Sequence, residues 1–560
     1  MRGRGSAALL IAAVAIAVLW APPDRALDDL AIPDGEEYAI TAYNLSEQHR
    51  YELDLGAGER HPPRYPPGYP LLVAAANVAT GARLANAVYV NIALGVLIVL
   101  LAYASAELIG DRAAPPGEGT RVLARMRPRP GVVAAALLLT STAFFTYTHW
   151  VLSEALLMFL FLAHAYAAAR ALESKAALWA LAAGLAVGWV TAVRITSLAL
   201  VVPAVACLAV WGGRARARLL LAYGLGCTAL VAPLLLYNNA TFGSPLRSGY
   251  QYWCSNPYDL LSNTYSFTAM WQEQRWWFHL RHLHRQLWDG GGLRLPAWLP
   301  LGEQTWAWWS LAALVVLPFY VGVVAMWRSR RAPCRAWLVV VLFTIAATLI
   351  QYALYFITSE RFLVPLLPLS YVATACGLTA AFAKRPSLAF ALAAPWLLLF
   401  PLRVARLADE VTLFHASKGS TTERFLQRAQ AQVEANAVIV SNATGLLVGH
   451  YLLRDTARTY VPYFRGVEYA AKYAQPAPPI DLSRIPAGKP FDHVYEGALE
   501  NGARRVFAYT FLDDPAEVSR LAEERPTYFL LDARRLSAPP PGVALDELAV
   551  EGPWQLYRLR

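Results

Sequence analysis

The chain has 560 residues, 57% hydrophobic and only 16% charged, with a mean hydropathy of +0.35. Soluble domains carry about 25% charged residues; here the deficit falls in long apolar runs, so the composition excludes an ordinary soluble enzyme and predicts a polytopic membrane protein. The formal charge of +10 is concentrated in short loops between apolar runs, which is the positive-inside pattern rather than a nucleic-acid footprint.

Chain order begins with MRGRGSAALLIAAVAIAVLW, a basic start and a short apolar run with no small-x-small cleavage site after Trp20. It is therefore expected to stay as a first span. Apolar runs of membrane-crossing length predict eleven spans, near residues 6–22, 84–109, 131–147, 155–171, 178–193, 196–211, 219–236, 306–327, 337–356, 362–383 and 387–403. The basic clusters then share one side. The expected placement is a plasma (inner) membrane, multi-pass, with the N-terminus cytoplasmic and the C-terminal domain external or periplasmic. Residues 1–403 read as a multi-span core with external loops 23–83 and 238–305, and residues 404–560 as an external domain.

The five cysteines offer no metal spacing: Cys207, Cys227 and Cys376 lie in apolar runs, Cys334 in a basic loop, and Cys254 alone is expected outside. No cofactor is required by any motif. A divalent metal is compatible with the chemistry but not evident; His279, His282 and His284 do not share one helix face.

The first external loop carries PDGEEYAITAYNL, a turn followed by helical periodicity, which puts Asp34 at a helix start. Asp34 reads either as an N-cap or as a carboxylate held for chemistry, and Glu36 and Glu37 either as dipole-favouring acids or as substrate contacts. The loop re-enters the membrane through RYPPGYPLL, where prolines stiffen the backbone, Gly68 is expected to permit a tight turn, and Arg64 and Tyr65 stand before the prolines. THWVLSEALLMF places Glu154 at the start of an apolar helix, where an acid is a functional candidate or a first-turn residue at the headgroups. Arg194, between two apolar runs, and Arg361, in ITSERFLVPLLPL, read either as phosphate ligands or as snorkelling anchors. In the second loop, NNATFGSPLRSGY contains Arg247, and QEQRWWFHLRHLHRQLW reads as a helix in the headgroup plane. Beyond residue 404, AVIVSN, RTYVPYF, RRVFAYTF and PTYFLLD alternate with helical patterns at 421–436, 445–453 and 515–525. This predicts an α/β domain with a largely parallel sheet.

In this order, PDGEEY, YPPGYPLL, the SE that opens a span, NNATFGSPLRSGY and RFLVPLLP resemble the membrane glycosyltransferases of the GT-C fold. The resemblance is to the group of protein mannosyltransferases, lipid A aminoarabinose transferases and rhizobial lipopolysaccharide glycosyltransferases, over residues 1–403. It implies a polytopic α-helical GT-C-like fold and a sugar donor carried on a polyprenyl phosphate. The acceptor would be a lipid, glycan or protein hydroxyl, with membrane lipids as surroundings. It also implies an inverting single displacement with Asp34 as general base. The glycine between Asp34 and Glu36 departs from the adjacent Asp-Glu pair of protein mannosyltransferases, and Arg64 and Tyr65 replace the lysine that usually precedes the proline motif. Both departures bear on the subtype. The competing readings are a surface-polysaccharide polymerase or ligase, and a membrane transporter.

Overall fold

The computed structural model describes residues 2–20, 33–54, 60–113, 129–250, 270–271, 274–289, 306–355, 359–384, 386–416, 421–441, 445–453, 456–462, 494–497, 505–508, 523, 525–533 and 542–560. Cys254, the glycine run 290–292 and nearly all of the helix expected at 515–525 lie outside the described residues.

Among the described residues, six helices are long and apolar enough to cross a membrane: Asn86–Gly110, Glu154–Ser174, Gly213–Phe242, Ala332–Leu354, Glu360–Phe382 and Ser387–Thr412. The other expected spans divide into two kinds. Four fall on shorter apolar stretches among the described side chains: Ala7–Leu19 of helix Arg2–Leu19, Ala177–Val193, Ile195–Trp211, and Leu314–Arg328 of helix Trp306–Arg328. The span expected at 131–147 is a broken pair, Pro130–Leu139 and Thr142–His149, meeting at 65°. By length and composition, six helices among the described residues are candidate crossings, or seven with the bent pair; the expected count of eleven is not established.

The break has a sequence cause. Thr140 bonds back to the Ala136 carbonyl at 2.8 Å, and Ser141 caps the second half by accepting from the Phe144 amide at 3.3 Å. The carbonyls freed at the break need donors inside an apolar bundle. Arg403 supplies them. Its Nη2 donates to the Leu137 carbonyl at 3.0 Å and to the Tyr371 hydroxyl at 3.3 Å, and its Nε to the Thr140 carbonyl at 3.4 Å. The guanidinium also lies 5.1 Å from the Trp396 ring, and the side chain is fully buried. The helix bearing it runs past the boundary expected at residue 403, as Pro386–Ala416.

Small residues bring other helices close. A Cβ at Gly322 would stand 2.0 Å from the Ala373 carbonyl oxygen, and one at Gly377 1.9 Å from that of Pro318, so these two backbones touch.

The C-terminal part holds a five-stranded sheet. Its strands are β3 (Val438–Ser441), β4 (Thr459–Pro462), β7 (Thr527–Asp532), β8 (Leu545–Glu551) and β9 (Trp554–Leu559), in the order β4-β3-β7-β9-β8. β3 pairs parallel with β4 and β7, but β9 runs antiparallel to both β7 and β8. The sheet is therefore mixed, not largely parallel. The final hairpin turns at Gly552, whose φ is +60°, inside the readable signal EGPW. The strand expected in RRVFAYTF, β6 (Arg505–Ala508), pairs antiparallel with β5 (Val494–Gly497) in a separate two-stranded sheet. In the first loop, β1 (Leu53–Asp54) and β2 (Arg60–His61) form a short antiparallel pair. Helix Thr421–Gln432 packs on the large sheet through Phe425, which stacks on Trp554 at 6.1 Å, and Thr422, which accepts from Trp554 Nε1 at 2.9 Å.

Candidate active site

Asp34 lies in the first turn of helix Pro33–Gln48, as the turn signal PDG predicts. The next residues on that helix anchor the proline segment that begins at Pro62. The Glu37 carboxylate accepts from the backbone amides of Arg64 at 2.6 Å and Tyr65 at 3.1 Å, and pairs with the Arg64 guanidinium at 3.6 Å. Glu37 thus holds the proline segment against the helix. Glu36 is buried on the same turn.

The proline segment is seated from two further sides. Gly68 opens helix Gly68–Thr80 with an ordinary φ, so it is not the tight turn expected from sequence. What it permits is a close approach. A Cβ there would stand 2.7 Å from the Ala192 carbonyl carbon and oxygen and 2.8 Å from Val193 Cγ2, and Trp189 Nε1 donates to the Gly68 carbonyl at 2.9 Å. On the other side Gly249 abuts the Pro63–Arg64 backbone, where a Cβ would meet the Pro63 oxygen at 1.9 Å. Arg247 is half-buried two residues earlier, in the turn that follows helix Arg216–Phe242.

Four charged residues then meet, each at a helix junction. Asp34 begins its helix, and Glu154 begins helix Glu154–Ser174. Arg194 has extended backbone between helix Ala177–Val193 and the 3-10 turn Ile195–Leu200. Arg361 lies in the 3-10 turn Glu360–Leu366, whose cap Ser359 accepts from the Arg361 amide at 3.4 Å. Arg361 Nη2 donates to Asp34 Oδ2 at 2.6 Å, and its Nε faces Glu154 Oε1 at 4.0 Å. Arg194 Nη2 donates to the same Glu154 oxygen at 3.1 Å, and its Nη1 donates to the Tyr352 hydroxyl. Tyr352 stacks on Phe362 at 4.3 Å, and both arginines lie over the Phe362 ring, at 5.2 Å for Arg361 and 5.9 Å for Arg194. The chain of charge is therefore Asp34, Arg361, Glu154, Arg194, two acids alternating with two bases. Glu154 is buried, whereas the Arg361, Arg194 and Asp34 side chains keep 25%, 18% and 16% of their exposure, so solvent reaches the cluster at the Asp34–Arg361 contact as well as at Arg194.

Burial pushes the Asp34 carboxyl up, but the Arg361 guanidinium, the Tyr65 hydroxyl and Arg64 outweigh it and hold it below its ordinary value. Asp34 is thus ionised at neutral pH. Tyr65 is itself packed at 4.6 Å against Tyr38 and 5.5 Å against Tyr250, and Tyr51 donates to its carbonyl at 2.7 Å. An aromatic wall so fixes the hydroxyl that orients Asp34.

Helix Arg275–Asp289 matches the one expected in the second loop, but its faces are distributed differently from a uniform aromatic and basic surface. Arg275, His279, His282 and Leu283 are buried, while Trp276 and Trp277 are 40% and 44% exposed. His282 Nε2 pairs with Glu360 at 2.8 Å, and Arg275 Nη1 donates to the Tyr355 carbonyl at 2.6 Å, so the helix is tied next to Arg361. His279 has neither ring nitrogen bonded among the described residues; burial, with His282 and Arg275 nearby, pushes its pKa down to about 4 and keeps it neutral. No group of three His, Cys, Asp or Glu side chains is placed to hold a metal ion among the described residues. Sequence reading missed Tyr352, Phe362 and the Tyr38 wall. Their one signal is an aromatic residue at a helix end, which is common to many interfacial positions.

No protein-family model matches the chain, and no curated protein matches it significantly. Solved structures do. ArnT from Cupriavidus metallidurans, bound to undecaprenyl phosphate, matches with a TM-score of 0.52 at 12% identity, covering 98% of this chain and 97% of that one. The Archaeoglobus fulgidus oligosaccharyltransferase in complex with Zn and sulfate matches with a TM-score of 0.51 at 11% identity, covering 94% of this chain and 68% of that one. The coverage extends through the C-terminal part as well as the helical bundle. With its apolar helices and small C-terminal sheet, the chain is a multi-pass membrane protein of the GT-C fold.

Proposed function

We propose that this protein transfers a sugar from a polyprenyl-phosphate donor to an acceptor hydroxyl at the external membrane face, with Asp34 as general base and Arg361 as the main partner of the donor phosphate. The observation that carries the reading is the 2.6 Å meeting of the first-loop carboxylate with the arginine of a late span. It joins, at one accessible point, a group able to take a proton and a group able to balance a phosphate. In the reaction the acceptor oxygen attacks the anomeric carbon and its proton passes to Asp34. The bond from that carbon to the phosphate oxygen breaks, and the lipid phosphate leaves with the electron pair, inverting the anomeric centre. The leaving group needs charge balance more than protonation, which a planar guanidinium supplies through paired hydrogen bonds. Glu154 and Arg194 hold Arg361 in place from behind. The bound lipid phosphate named for the ArnT structure supports this donor class. The positive-inside pattern supports a plasma-membrane orientation with the N-terminus inside and the C-terminal domain outside.

The test is Asp34→Asn in purified protein with a polyprenyl-phosphate sugar. General-base assistance is worth about 10²–10⁴-fold, so turnover is expected to fall by that factor with the protein still folded. Near-normal turnover, with a severe loss in Glu154→Gln instead, moves the base to Glu154.

A further inference from the structure

Resting on that reading, we propose that the donor phosphate and Asp34 compete for Arg361, so that donor binding itself releases the base. Arg361 presents two edges. Nη2 is spent on Asp34 at 2.6 Å, while Nε faces Glu154 at 4.0 Å, beyond hydrogen-bond length. Glu154 in turn is held by Arg194 at 3.1 Å, and Arg194 by Tyr352, so the rear of the cluster is fixed independently of Asp34. The Phe362 ring lies under both guanidiniums and keeps Arg361 in plane whichever anion it serves. The exchangeable contact is therefore the one between Asp34 and Arg361, which solvent reaches and which nothing behind it locks.

The two roles assigned to this pair oppose each other at the Nη2 contact. A carboxylate bonded to a guanidinium is a weak base, because the proton it would accept must displace a charge-assisted bond. The Nη2–H held by Asp34 is withheld from a phosphate that would pair it with a second N–H of the same guanidinium as a bidentate contact. When a phosphate takes Nη2, both groups become competent together. Asp34 loses its cation and regains basicity, and it keeps its aim through the Tyr65 hydroxyl. The donor-free site is thus held with its base neutralised, and the binding order is donor first, acceptor second. Water arriving without donor meets a carboxylate that is already paired.

Competition makes a prediction that a simple base does not. Binding of undecaprenyl phosphate, which lacks the sugar and cannot react, is measured on purified protein in detergent for wild type, Asp34→Asn, Arg361→Gln and the double variant. Removing the Asp34 charge frees Arg361. Asp34→Asn is expected to bind about tenfold more tightly, the coupling that contacting charges commonly carry. Arg361→Gln is expected to bind more weakly, and in its background Asp34→Asn should bring no gain. An equal gain in both backgrounds means direct repulsion between Asp34 and phosphate, and overturns the exchange. So does an unchanged affinity in Asp34→Asn. Arg361→Lys, which keeps the charge, is the second variant if Arg361→Gln does not fold; there Asp34→Asn should again tighten binding. These outcomes are separate from turnover. Lost turnover without tighter binding leaves Asp34 as the base and removes the exchange, whereas tighter binding with normal turnover removes the base reading.

Discussion

Gly68→Ala tests whether the proline segment is held to the site by close packing. The added Cβ would lie 2.7 Å from the Ala192 carbonyl carbon and oxygen, and these are backbone atoms that cannot rotate away. Carbon contacts are comfortable at about 3.5–4.0 Å, so the segment and the helix end must part by about 0.8 Å. That movement acts on the site directly. Val193 precedes Arg194, and the segment carries Tyr65, which orients Asp34. A displacement near 1 Å can cost about 10²-fold in rate, and overpacking about 1–3 kcal/mol in stability. Sugar transfer under donor saturation is therefore expected to fall by about one to two orders of magnitude, with a lower unfolding temperature in detergent. Gly224→Ala is the control: nothing lies within 4 Å of its Cβ position on helix Arg216–Phe242, and it should leave turnover unchanged and add slight helix stability. Wild-type turnover and unfolding temperature in Gly68→Ala would refute the packing argument.

Tyr65→Phe removes the hydroxyl that helps hold Asp34 below its ordinary value. A base with a lowered pKa works above that pKa and fails as pH falls through it, so the acid limb of kcat/KM should move to higher pH in this variant, read from a pH–rate profile. Arg403→Met leaves the Thr140 carbonyl without its arginine and the Leu137 carbonyl with the Thr140 hydroxyl at 3.4 Å, at about 1–3 kcal/mol for a buried acceptor left unpaired. Thermal unfolding should show the loss, while the folded fraction should bind undecaprenyl phosphate as wild type does. A cysteine at Leu548, which is 38% exposed on strand β8, should react with a membrane-impermeant maleimide from outside intact cells. Labelling only after permeabilisation would reverse the orientation.

Local signals carried the candidate site a long way. A turn before a periodic stretch put Asp34 at a helix start, and an acid or arginine opening an apolar run marked Glu154 and Arg361, because such positions are costly unless used or hydrated. Pairing was not legible. Asp34 and Arg361 are 327 residues apart, and nothing in either neighbourhood names the other. The same limit hid the roles of Glu37, whose partners are backbone amides, and of Gly68, whose constraint comes from a different helix. The second-loop helix was legible as a helix, but its mixed aromatic and basic pattern did not say which face is buried. Arg403 looked like a span terminus because charge ends a hydropathy window; the break at Thr140 that employs it lies on another helix. In the tail the parallel strands followed from alternation, whereas the closing hairpin depended on reading one glycine turn as a reversal.

The edge contact between Tyr43 and His450, at 4.9 Å, ties the π-helical turn Gly449–Leu453 of the tail to the helix that bears Asp34. Nine residues separate Tyr43 from Asp34, about 14 Å along a rod that does not bend easily. The tail is thus a handle on the carboxylate. A chimera given a foreign tail therefore changes the seat of the helix that carries Asp34 unless the new tail reproduces that edge.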